Sequence, residues 1–234
     1  MTNSPMFVLL HSPLVGPLTW QPVARCLDAR GCPVQVPSLV DVISGEGPYY
    51  GTVAERIGSS LTGPAVLVAH SGAGALLPVI AAAAPEPPRA VVFVDALLPH
   101  PGRTWFETVS AALADQVRDL AQGDQLPPWD QWFAPESITA LLPDPVLREQ
   151  FRAELPRVPL AYLTEPAPAV APLPAGRCAY LRLSEAYRAE AAEAQAMGWP
   201  VAEESADHLA MLTRPEAVAD ALQRVLDQVG CPVS

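Results

Sequence analysis

The stretch Val66-Leu67-Val68-Ala69-His70-Ser71-Gly72-Ala73-Gly74 carries the strongest chemical signal in the sequence. An apolar, β-branched run ends at a serine, and small residues then open a helical run. Such a strand–turn–helix lifts the serine hydroxyl clear of the sheet, and small neighbours at Ala69 and Ala73 let the tight turn pass the adjoining strands. The first helical turn points free N–H groups at any oxygen that gains negative charge beside the serine. A hydroxyl held this way can act as a nucleophile if a base takes its proton; otherwise Ser71 would merely cap the helix. His208, in Ser205-Ala206-Asp207-His208-Leu209, is the candidate base. It follows Ser71 in chain order and stands between a last short strand and a final helix.

The elements that must position this pair are legible as alternating patterns. Residues 6–11, 34–39, 65–69 and 90–95 read as buried strands, and 17–31, 50–61 and 74–84 as helices between them. That alternation predicts an α/β fold with a mainly parallel sheet and helices on both faces. From Leu97 to Val170 the strand pattern stops. Helical stretches at 104–122, 135–142 and 144–155 replace it, with Trp105, Phe106, Trp129, Trp132, Phe133 and Tyr162 concentrated there. A proline-rich connector, 165–176, closes the segment. Alternation then resumes with strand 178–183, an acidic, alanine-rich helix 185–197 read as solvated, strand 200–204 and a final helix. Thr213 and Glu216 are expected to form a capping box for that helix, with Pro215 in its first turn. The expected organisation is a core of residues 1–96 and 177–234, interrupted by a helical lid at 97–176. Such a lid belongs over the carboxyl ends of the strands.

Composition narrows the possible functions. The 234 residues carry a net charge of −11, which would repel nucleic acid and anionic membrane surfaces. Every basic residue is an arginine, so the chain has no lysine for a Schiff base or a phosphate loop. Cys26, Cys32, Cys178 and Cys231 lack metal-ligand spacing and read as reduced thiols, so neither a metal nor a cofactor is expected. No leader is visible in the short uncharged start, and no apolar run is long enough to span a membrane. The expectation is a cytoplasmic monomer or homodimer whose partner is a small molecule.

With the Ser71 turn, His208, Phe7-Val8-Leu9-Leu10-His11, Trp20, the run Val92-Phe93-Val94-Asp95-Ala96-Leu97-Leu98-Pro99 and the inserted lid in view, the chain resembles the α/β-hydrolase superfamily over nearly its whole length. Within it, the resemblance is to the compact branch of salicylate-ester esterases and hydroxynitrile lyases. It implies an α/β-hydrolase fold with a sheet of about six strands, Ser71 as nucleophile and His208 as base. It also implies an oxyanion site between the Gly72 N–H and the loop after His11. In that loop the family usually has His-Gly-x, with the amide of x as a donor; here the residues are His11-Ser12-Pro13, and proline has no N–H. Losing such a donor costs a hydrolase about 10²–10³ in rate unless Ser12 donates instead. A hydroxyl at that position also points toward the lyase branch.

Three arrangements are open for orienting the imidazole. The family register places the acid at Ala186, so a one-residue slip would bring in Glu185, which is preferred; Asp95, at the end of the fourth strand, is the alternative, and a bare Ser–His dyad is the third. Asp207 is expected to point away from the imidazole. His70 is expected beneath the turn or against substrate, His11 in its own loop and His100 at the surface. Trp105 and Trp132 are expected to line an apolar pocket. The leading expectation is a serine-dependent, esterase-like hydrolase of a small apolar metabolite. A lyase using His208 as general base comes second, and a non-catalytic binding module third.

Overall fold

The computed structural model describes residues 4–232, so Met1–Asn3, which belong to the start read for a leader, lie outside the described residues. Among the described residues the strands are β1 (Met6–Leu10), β2 (Val34–Gln35), β3 (Ala65–Ser71), β4 (Ala90–Ala96), β5 (Gln125–Leu126), β6 (Val158–Pro159), β7 (Cys178–Arg182) and β8 (Val201–Glu203). Six of them form one parallel sheet in the order β2-β1-β3-β4-β7-β8, with helices around it.

Period-two alternation divides each central strand between two cores. Phe7 and Leu9 of β1, Val66 and Val68 of β3, and Val92 and Val94 of β4 pack with Trp20, Val23 and Leu27 and with the final helix, Pro215–Gln228. Val8, Leu10, Leu67, Ala69, Val91 and Phe93 face the opposite way, against Val53, Ile57, Leu77 and Ile80. Both faces are therefore dry, which is why β3 and β4 read as continuous apolar runs. Each fully buried side chain of this type contributes about 1.5–3 kcal/mol. A third cluster, including Val15, Ile138, Phe151, Leu209 and Leu212, packs the segment between β4 and β7 on the loop after β1 and on the segment after His208. Glu154 tightens that packing by accepting the Leu18 N–H at 2.7 Å.

Several expectations need correction. The strand expected at 34–39 is only Val34–Gln35, because β2 is an edge paired at two positions. The lid is not wholly helical: β5 and β6 form a short antiparallel ribbon. The capping box at Thr213 and Glu216 does not form. Arg214 is the N-cap and makes no side-chain cap bond, while Pro215 supplies the first helical residue. A capping box does occur in the lid, between Thr104 and Glu107. His100 is buried, not at the surface, and its Nδ1 bonds the Leu98 carbonyl.

Candidate active site

The site begins as a dislocation between two strands. Pairing of β3 with β4 runs as far as His70 opposite Val94, and then Ser71 lies opposite Ala96, so Asp95 is skipped. Ser71 and Asp95 are the two non-glycine residues with positive φ among the described residues, at 55° and 44°. One irregularity thus bends both strands at their carboxyl ends and turns a hydroxyl and a carboxylate out of the sheet. Conformations this rare for side-chain-bearing residues persist only where the surroundings impose them. Gly74 makes the bend possible: a Cβ there would lie 2.1 Å from the Leu97 carbonyl oxygen and 3.1 Å from Ala96 Cβ. The serine is followed by a tight helical turn, Gly72–Leu76, and then by the helix Leu77–Ala83.

Asp95 is fully buried, and its Oδ1 accepts the Leu183 and Ser184 N–H groups at 2.8 and 3.0 Å. Its Oδ2 accepts from the Ser184 hydroxyl and from His208 Nδ1, the latter at 2.9 Å. Burial alone would raise the Asp95 pKa, but the bonds from His208 and Ser184 outweigh it and hold the carboxyl below its ordinary value. With Nδ1 committed as a donor, Nε2 of His208 is left as the basic nitrogen. Glu185, the preferred acid from sequence, is not at the imidazole. Its exposed carboxylate pairs with Arg182 and Arg188, because the turn after β7 faces it outward. Asp207 also points away, accepting the Leu209 N–H at 2.9 Å.

Further contacts fix the imidazole. His70 Nε2 donates to the His208 carbonyl at 2.9 Å, and the two rings lie 4.4 Å apart. Burial, reinforced by repulsion from His208 whenever that ring is protonated, pushes the His70 pKa well below its usual value, so it is a neutral donor. The Tyr187 ring stacks on His208 at 5.0 Å, within 7° of parallel. The Ser71 hydroxyl hydrogen-bonds the Tyr187 hydroxyl at 3.2 Å in this arrangement, rather than His208. Ser71 and His208 nevertheless face one cavity of about 440 Å³.

That cavity is bordered by residues of the segment between β4 and β7. Trp105, Trp129, Trp132, Phe133, Leu97 and Leu14 make its walls predominantly apolar, and Gly72 forms part of the floor beside Ser71. Trp105 and Trp132, expected at an apolar pocket, both line this cavity. Glu190 joins the wall with one buried carboxylate oxygen unpartnered, and burial raises its pKa. Ser12 does not border this cavity; its hydroxyl accepts the Leu14 N–H at 3.3 Å, and it faces a separate small void shared with His70, Ser71 and His208. His11 is structural in its contacts, bonding the Ser12 carbonyl through Nδ1 and accepting the Leu39 N–H at Nε2. Burial lowers its pKa to about 4.

Sequence reasoning missed Tyr187 and Glu190. The available signal was position: both follow the carboxyl end of a sheet strand, where ligands of α/β sheets bind. Among the described residues no group of His, Cys, Asp and Glu could hold a metal, all four cysteines are free thiols, and no helix is long and apolar enough to cross a membrane.

The sequence pattern of the alpha/beta hydrolase family matches residues 7–221. No curated protein matches the chain. Among solved structures, an extracellular α/β-hydrolase from a Paenibacillus species is similar with a TM-score of 0.74 and 19% identity, over 94% of this chain and 98% of that one. Methylketone synthase I from tomato, in a variant complexed with β-ketoheptanoate, is similar with a TM-score of 0.69 and 17% identity, covering 97% and 99%. A pyrethroid hydrolase from Sphingobium faniae is similar with a TM-score of 0.69 and 19% identity, covering 96% and 98%. At these identities the likeness is one of fold. The family match, spanning both parts of the sheet and the segment between them, places the chain in the α/β-hydrolase family of enzymes.

Proposed function

We propose that this chain is a serine-dependent hydrolase of an ester or similar acyl bond in a small, largely apolar molecule. The observation that carries the reading is the 2.9 Å contact of His208 Nδ1 with Asp95, made beside a serine held at φ 55° on the same cavity. Ser71 Oγ would attack the carbonyl carbon as its proton passes to His208 Nε2, and the imidazolium would return that proton to the leaving oxygen. Asp95, not Glu185, would hold the imidazole in the required tautomer. Rotation of the Ser71 hydroxyl from Tyr187 to His208 completes the chain, as active-site bonds often tighten only with substrate present. The Gly72 N–H would face the developing oxyanion. The aromatic lid wall suits an apolar substrate, and four free thiols fit a reducing compartment such as the cytoplasm.

A lyase on the same scaffold is the second reading. It is favoured by Pro13, which removes a loop amide that acyl transfer would use, and by the placement of the Ser71 hydroxyl on a tyrosine. A fluorophosphonate probe followed by intact mass separates the two. The hydrolase reading expects one adduct, abolished by Ser71→Ala. A folded protein that takes no adduct, and keeps partial turnover as Ser71→Ala, would give the site to the lyase.

A further inference from the structure

Resting on the hydrolase reading, we infer that Tyr187 is a catalytic residue whose hydroxyl donates to the charged oxygen of the tetrahedral adduct on Ser71, supplying the bond that Pro13 removes from the loop after β1. The loop lies where a second donor would be required: a Cβ on Gly72 would meet Pro13 Cδ at 3.4 Å and Ser12 Oγ at 3.5 Å. Yet Pro13 carries no N–H, and the Ser12 hydroxyl accepts the Leu14 N–H at 3.3 Å and borders the small void beside Ser71 and His208, not the larger cavity. From the loop after β7, the Tyr187 hydroxyl reaches to 3.2 Å from the atom that forms the new bond. An oxygen on a carbon bonded to Ser71 Oγ would come within reach of the same hydroxyl.

The phenol suits this task. Its ring is fixed by stacking on His208, so the donor is ordered before substrate arrives, which is what makes oxyanion stabilisation effective. Burial raises its pKa, and the bond to Ser71 only partly offsets that, so the hydroxyl keeps its proton throughout the neutral range. Acylation balances without another reactant, and water then removes the acyl group from Ser71 by the same steps in reverse. The Oγ–C bond forms, the carbonyl π pair moves onto oxygen and the serine proton moves to His208 Nε2, while Tyr187 shares its proton without losing it. When the leaving C–O bond breaks, that oxygen takes the proton from His208 and the carbonyl re-forms.

The test is Tyr187→Phe, assayed on a 4-nitrophenyl alkanoate and against a trifluoromethyl ketone, which adds to serine as a tetrahedral adduct. The expected result is a fall in kcat/KM of about 10², almost all in kcat. Affinity for the ketone should fall by the same factor while KM stays near the wild-type value; a merely structural tyrosine would not weaken the adduct selectively. Retention of kcat/KM within about threefold, or a loss confined to KM with ketone affinity unchanged, overturns the assignment. If the wild-type protein neither hydrolyses the ester nor labels at Ser71, the hydrolase reading itself fails and this assignment falls with it.

Discussion

Replacing Asp95 by asparagine isolates the acid's role almost without changing its shape. The Leu183 and Ser184 amides, at 2.8 and 3.0 Å, both donate to the same carboxylate oxygen, Oδ1. An asparagine keeps them satisfied only by placing its carbonyl there. Its NH₂ group must then face the Ser184 hydroxyl and His208 Nδ1, where Oδ2 stood. Two N–H donors cannot meet at 2.9 Å, so the imidazole must move its proton to Nε2 and lose the lone pair that would accept from Ser71. The expected fall in kcat is about 10⁴, equivalent to about 5 kcal/mol of transition-state stabilisation. Loss of the charge-assisted bonds should cost about 1–3 kcal/mol of stability, leaving the protein folded. Glu185→Gln is the control: its exposed ion pairs lie away from the imidazole, and kcat should not change measurably. Steady-state hydrolysis of an aryl ester, with imidazole ¹⁵N shifts reporting the tautomer, reads both variants. Asp95 is not the orienting acid if Asp95→Asn keeps more than about a tenth of wild-type kcat, or if Glu185→Gln falls as far.

Two further outcomes are expected. His11 and His70 have folded pKa values below the ordinary histidine value, His11 at about 4, so above the unfolded value neither state gains protons and stability is unaffected by them. As pH falls below about 6.5 the unfolded chain protonates first, and by pH 4 His11 alone should remove on the order of 3 kcal/mol. Urea midpoints that stay level from pH 7 to pH 4.5 would contradict that sign. Gly74→Ala drives a methyl into the Leu97 carbonyl and Ala96, so it should cost about 3 kcal/mol in urea denaturation. A loss under about 1 kcal/mol would mean that the bend after Ser71 is looser than the contacts require.

Much of this protein was readable along the chain because its signals are local. The double-faced strands around Val66 and Val92, the serine followed by small residues, the interrupting aromatic lid and the histidine before the last helix are all statements about neighbours in sequence. They fix which elements form and which two side chains could do chemistry. Trp105 and Trp132, large apolar residues in the interrupting segment, line the cavity, Trp132 buried and Trp105 partly so.

What only tertiary structure decided depends on residues far apart in the chain. Asp95 and Glu185 were chemically equivalent candidates. The choice fell to a register dislocation between β3 and β4 that turns Asp95 outward, and to Arg182 and Arg188, which hold Glu185 in solvent. Tyr187 looked like one more residue of a solvated helix until the turn after β7 brought its hydroxyl to Ser71, 116 positions away. Alternation and composition report whether a residue is buried and in what kind of element. Which polar atoms meet is set by strand register and side-chain direction, and a shift of one residue exchanges one partner for another.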